Sequence, residues 1–178
     1  MVIDDFLSVY DFSERHETTV RASREKIYAA VDSTDFSDSW IIWGLLALRG
    51  LGWSRPTQSF NLRDMTNDGF AVLDEKQNEE ILLGLAGKFW TLGGNLQKIN
   101  AGNFRGFDEK GFAKAVWNFS IREAANGETL LKTETRIRCL DEGSRKSFAL
   151  YWTIVEPFSG LIRNEMLRLI KEKAESGN

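Results

Sequence analysis

Cysteine and histidine are almost missing from this chain. Among 178 residues there is one of each, Cys139 and His16. A lone cysteine forbids an intrachain disulfide, and a Cys/His zinc site would lack its ligands. No metal and no cofactor is therefore expected. An excess of one charge is also lacking: 23 basic residues face 26 acidic ones, for a net charge of −3. The basic groups Arg21, Arg24 and Lys26, and again Arg136, Arg138, Arg145 and Lys146, are interleaved with acids. They read as solvated faces, so no nucleic-acid partner is expected. Long apolar runs are missing too. The longest, residues 40–48, has nine residues, whereas a membrane helix needs about 20. Stable membrane insertion is not expected. The first residues show neither the basic nor the apolar part of a signal peptide, which makes the cytoplasm the expected location.

Apolar material is plentiful. Hydrophobic residues make up 42% of the chain and include twelve Phe, six Trp and three Tyr. A chain of this length buries roughly 70% of its unfolded surface. One domain spanning residues 1–178 is the expectation, with no linker, repeat or low-complexity segment dividing it.

Periodicity supplies the elements. Residues 12–21 alternate as a strand, with Phe12, Glu14, His16, Thr18 and Val20 on one face and a wholly polar set on the other. Ser23 is a good N-cap for a short helix over 24–31. A second short helix is expected over 38–48, apolar all round and hence buried, the alternative being a lid or a membrane-touching element. Short strands are expected near 57–61 and 96–100. Residues 70–76 and 80–87 read as a hairpin, the second strand apolar on both faces and so central. Residues 114–122 and 129–140 alternate cleanly around Asn126-Gly127, the strongest hairpin signal in the chain. Each has one dry and one wet face, as in a sheet covered on one side. Residues 144–174 are expected to form a long helix capped at Gly143-Ser144, with apolar residues spaced by three and four and with Pro157 inside it, which should kink it.

Strands segregated from helices predict an α+β fold. The expected form is a curved antiparallel sheet of about six to seven strands. Two short helices follow the first strand, and a long C-terminal helix closes the sheet.

Several strings carry a family likeness. They are Tyr10-Asp-Phe-Ser-Glu-Arg-His16, Gly69-Phe-Ala-Val-Leu73, Leu83-Gly-Leu-Ala-Gly-Lys-Phe-Trp90, Ala113-Lys-Ala-Val-Trp-Asn-Phe119 and Thr133-Glu-Thr-Arg-Ile-Arg-Cys139. The last are Tyr151-Trp152 and Pro157-Phe-Ser-Gly-Leu-Ile-Arg163. With the element order, they resemble an uncharacterised bacterial branch of the SRPBCC superfamily, the START/Bet v1-like, polyketide-cyclase-like helix-grip proteins. The resemblance spans about residues 10–174 and implies a helix-grip domain. It implies no particular activity, because that superfamily has no shared catalytic motif.

A helix gripped by a bent sheet touches only part of the inner face. The expected wall of the remaining space combines His16 and Thr18 from the first strand with Trp117, Phe119, Thr133, Thr135 and Ile137. The helix contributes Tyr151, Trp152, Val155, Ile162 and Met166. Aromatic walls with a few polar groups suit a small hydrophobic ligand, lipid-like or aromatic; the same side chains also suit a filled core.

His16 invites a general acid or base role, against the plainer reading of a core histidine bonded to Tyr151 or to a backbone carbonyl. No nucleophile is tied to it by any motif, so no catalytic residue is assigned. Gly50-Leu-Gly52 and Gly84-Leu-Ala-Gly-Lys88 lack the rest of a nucleotide fingerprint. Three functions remain: a binding protein, a cyclase- or hydrolase-type enzyme using the same cavity, or an interaction module. In the third, the 40–48 segment docks on a partner or on a second copy as a homodimer.

Overall fold

The computed structural model describes residues 2–37, 39, 42, 60–91, 93–124 and 127–176, with only the backbone of Asp68. Helix α1 (Val2–Phe6) precedes strand β1 (Phe12–Val20) and helix α2 (Arg24–Ser33). A single 3-10 turn, Asp64–Asp68, leads into β2 (Ala71–Lys76), β3 (Glu80–Gly87), β4 (Ala113–Glu123) and β5 (Thr129–Cys139). Helix α3 (Glu142–Glu175) ends the fold.

The strands form one antiparallel sheet in the order β1-β5-β4-β3-β2. Strands β2 to β5 are a meander, and β1 returns to the edge beside β5. The described residues thus hold five strands rather than six or seven. The expected strand at 96–100 does not form. Beyond the last β2–β3 pair, Ala71 with Gly84, the edge of β3 meets a loop that contributes the Gln97 N–H to Ala86 O bond at 2.9 Å. Of the other missing strand, residues 57–59 lie outside the described residues, and 60–61 are not in a strand.

Helix α2 forms as expected. The Ser23 hydroxyl accepts from Lys26 N, and Ile27, Ala30 and Val31 face Leu167, Ile170 and Ala174 of α3. The expected second helix, 38–48, falls outside the described residues except for Ser39 and Ile42. Ile42 is helical and buried, and Ser39 Oγ donates to Glu165 Oε1 at 2.9 Å. The cap of α3 is Asp141 rather than Gly143-Ser144. Its Oδ1 accepts from Ser144 N at 2.9 Å while Ser144 Oγ accepts from Asp141 N at 3.2 Å, a closed capping box. The helix runs unbroken past Pro157. Its outward face leaves Leu150, Ile154 and Leu161 exposed.

The outer face of the sheet corrects the expectation of a sheet covered on one side. Lys114, Asn118, Glu134 and Arg136 read as a wet face but are all buried. Two segments cover them. Helix α1, which the sequence pattern does not announce, packs Val2, Ile3 and Phe6 with Leu82, Val116 and Phe104. The 99–107 loop is clipped down by Lys114 Nζ, which donates to the carbonyls of Phe104, Arg105 and Phe107.

The buried charges are tolerable because they compensate one another. Glu134 meets Arg136 at 2.6 Å, Arg15 at 3.0 Å and Lys132 at 3.0 Å. Arg136 Nη1 then donates to Asp4 Oδ1 and Leu7 O, which fastens the α1 end to the sheet. Gly84 is needed on this face: a Cβ there would lie 2.4 Å from Leu73 Cδ1.

On the inner face the register sets out rows. Phe12, Ile137, Ala115 and Leu85 lie side by side across four strands, next to the row Glu14, Thr135, Trp117 and Leu83. The following row is His16, Thr133, Phe119 and Ile81. Helix α3 crosses these rows.

Candidate functional site

The main core lies under the α2 half of α3, where Phe119, Ile121, Leu131, Met166, Leu167 and Ile170 interlock. Under α3 from Phe148 to Arg163 the filling is incomplete. A pocket of about 130 Å³ lies there between sheet and helix. Its position follows from side-chain size: Ala115 stands between Ile137 and Leu85 on one row, and the missing bulk is the hollow.

Six of its fourteen described lining residues carry rings. Phe148 is buried at the centre of an aromatic cluster, 4.9 Å from Phe12, 5.6 Å from Trp152, 5.7 Å from Tyr151 and 6.4 Å from Phe89. Phe70 and Trp117 meet edge to face at 6.2 Å on the other side. Such pairs are worth about 0.5–1.5 kcal/mol beyond their buried area. They hold the wall in shape.

Six of the expected wall residues line this pocket: Trp117, Thr135, Ile137, Tyr151, Trp152 and Val155. The other six lie elsewhere. Phe119 and Met166 are buried in the main core, with Ile162 packed against it. The Thr133 hydroxyl accepts from Trp117 Nε1 at 2.7 Å and donates to Asn118 O at 2.8 Å, so it braces Trp117 from behind. Thr18 sits one row further, beside Leu131. His16 is beside the pocket, not among its lining residues.

The partner of His16 is neither Tyr151 nor a carbonyl. It is Glu14, two residues back on the same strand face: Nε2 lies 2.8 Å from Glu14 Oε1. The other carboxylate oxygen, Oε2, accepts from Ser159 Oγ at 2.7 Å. Here β1 and α3 come close together, since a Cβ on Gly160 would lie 3.2 Å from Glu14 Oε1. Glutamate therefore stands between histidine and serine. A Ser–His–acid relay needs the imidazole in the middle to take the hydroxyl proton. This arrangement holds two elements together instead of activating Ser159.

Cys139 is no better a nucleophile. Burial, then the nearby Asp11 carboxylate, pushes its thiol up to about 12, and only the thiolate reacts.

Sequence reasoning missed Phe70, Leu85, Phe89, Ala115, Val116, Phe148, Ser159 and Arg163 as lining residues. Signals for two of them were present. Ser159 and Arg163 are four apart in Pro157-Phe-Ser-Gly-Leu-Ile-Arg163, hence on one helix face. Arg163 lies over Trp117, its guanidinium carbon 3.7 Å from the ring centre. Of the described residues lining the pocket, it alone is charged. No metal-holding group of three or more His, Cys, Asp or Glu occurs among the described residues. No described helix is long and apolar enough to cross a membrane.

No family model matches the chain, and neither does any curated protein. Solved structures with some likeness include TTHA0849 from Thermus thermophilus, at 9% identity over 94% of this chain and 99% of that one, TM-score 0.38. CalU16 from Micromonospora echinospora is 13% identical over 92% of this chain and 84% of that one, TM-score 0.31. The Zhui aromatase/cyclase from a Streptomyces species is 11% identical over 92% of this chain and 93% of that one, TM-score 0.32. Likenesses at this level establish no family for the chain.

Proposed function

We propose that this protein is a single helix-grip domain of the START/Bet v1-like kind, which takes up a small hydrophobic molecule between sheet and α3. The observation that carries this reading is the 130 Å³ pocket ringed by Phe70, Phe89, Trp117, Phe148 and Trp152. An apolar cavity of about 150 Å³ accepts benzene. The occupant is thus one aromatic ring in size, not a long-chain lipid. Aromatic walls provide the affinity, and Thr135, Tyr151 and Ser159 are the polar groups that orient it.

Binding is favoured over turnover. His16 reaches the pocket only through Glu14 and Ser159, in an order that does not activate the hydroxyl. A cyclase- or hydrolase-type reaction would need a base at the ligand itself. Placement in the cytoplasm belongs to the same reading.

Titration with benzyl alcohol, followed by tryptophan fluorescence and by chemical-shift changes, tests the proposal. Saturable binding that disappears in Ala115→Leu is expected. Equal binding by both proteins, or none by either, would overturn it.

A further inference from the structure

Resting on that reading, we infer that the ligand is a one-ring aromatic carrying a neutral hydroxyl, which Thr135 and Ser159 recognise together. Five described lining residues carry polar side-chain atoms: Trp117, Thr135, Tyr151, Ser159 and Arg163. Three of these are engaged within the protein. Trp117 gives its N–H to Thr133, and Tyr151 and Arg163 have partners of their own. Thr135 and Ser159 are left with something to offer a ligand.

Ser159 offers an acceptor and no donor. A carboxylate has no hydrogen to give, so the 2.7 Å contact with Glu14 Oε2 takes the Ser159 hydrogen. Glu14 is held in turn by His16, 2.8 Å from its other oxygen. The Ser159 oxygen keeps its lone pairs, and donating to a carboxylate polarises it toward accepting. A ligand group that meets Ser159 must therefore donate.

Thr135 is the complementary case. It lines the pocket, is only 9% exposed, and its hydroxyl has no partner among the described residues. Its neighbours in the sheet row are Glu14 on β1 and Trp117 on β4. It thus stands beside the same Glu14 that binds Ser159, and the two hydroxyls share one corner of the pocket. A buried hydroxyl without a bond is costly, so a group that meets it gains. One ligand group answers both residues. A hydroxyl donates its hydrogen to Ser159 and accepts the hydrogen of Thr135. A carbonyl has no hydrogen for Ser159, and an ammonium has no lone pair for the Thr135 hydrogen. The ring of the ligand then lies against Phe148, Phe89 and Trp152.

The test compares benzyl alcohol, benzaldehyde and ethylbenzene, which share one heavy-atom skeleton, by isothermal titration on the full chain. Wild-type protein is expected to bind the alcohol about tenfold tighter than either of the others, which lack one or both hydrogen bonds. Thr135→Val keeps the side-chain shape; it should weaken the alcohol about fivefold and leave ethylbenzene unchanged. Ser159→Ala should weaken the alcohol by a similar factor without weakening benzaldehyde. Ethylbenzene or benzaldehyde bound as tightly as the alcohol would overturn the hydroxyl assignment and leave the pocket reading standing. An alcohol preference that survives both substitutions would overturn the roles of Thr135 and Ser159. Binding of none of the three would remove both the pocket reading and this one. Should Ser159→Ala fail to fold, Thr135→Val and the wild-type order of affinities decide.

Discussion

Ser159 Oγ donates a 2.7 Å hydrogen bond to Glu14 Oε2, joining the middle of α3 to the edge strand of the sheet. It is the counterpart of the gap beside it. Gly160 brings helix and strand together at this bond, and the pocket runs alongside the junction, lined on α3 from Phe148 to Arg163 with Ser159 at its edge. Removing the hydroxyl should loosen this junction. A hydrogen bond to a charged group is worth about 1.5–3 kcal/mol. Being half-buried, this one is expected to cost about 1–2 kcal/mol in Ser159→Ala, read from urea unfolding. An unchanged midpoint would show that the contact does not hold β1 to the helix.

Ala115→Leu tests the hollow from the side of stability. Filling a well-packed core costs about 1–3 kcal/mol. Filling an existing gap should cost less than about 1 kcal/mol and can stabilise, because new dispersion contacts replace empty space. Thermal unfolding should therefore show little loss. A drop in Tm of more than about 4 °C, the upper shift expected for about 1 kcal/mol in a domain of this size, would mean that the space is not there.

The charge cluster under α1 predicts acid lability. Burial raises the Glu134 carboxyl, but the Arg136 and Lys132 hydrogen bonds and charges outweigh it, so it stays below its ordinary 4.5. Asp4 is held down in the same way, first by its bond to Arg136. A carboxyl depressed in the folded state contributes stability that is complete above its unfolded value and is lost as pH falls through the folded one. Stability should hold at neutral pH and begin to fall below about pH 4.5. Glu134→Gln should flatten that fall and cost about 3 kcal/mol at neutral pH, since it removes the buried carboxylate that Arg136, Arg15 and Lys132 share and leaves Arg136 with Asp4 as its ion-pair partner. A pH profile identical to wild type would assign the acid transition to other groups.

Cys139 should be nearly inert toward alkylating agents while the protein is folded. With the thiol pushed up to about 12 by burial and Asp11, its thiolate fraction in mildly basic buffer is at least about a hundredfold below that of free cysteine, whose pKa is about 8.5. Iodoacetamide labelling followed by mass spectrometry should be slow in buffer and fast in denaturant. Fast labelling of the folded chain would contradict the burial.

Apart from α1, the order of elements was legible from the chain because each of the others carries a local signature. Alternation marks β1, β4 and β5, the Ser23 cap marks α2, and spacing by three and four marks α3. The shared inward face of Glu14 and His16 was readable in the same way, since strand periodicity puts i and i+2 together. Other features needed distant partners. Lys114, Glu134 and Arg136 have the composition of a wet face, and they are covered only because α1 and the 99–107 loop arrive from far along the chain, bringing Asp4 and Phe104. The pocket is likewise a long-range outcome. Ala115 becomes a void only when Ile137, Leu85 and Phe148 surround it, and Arg163 becomes part of its wall only by landing on Trp117. Periodicity reports which way a side chain points. What it meets there depends on chain closure between residues tens of positions apart, and a one-dimensional pattern does not encode that.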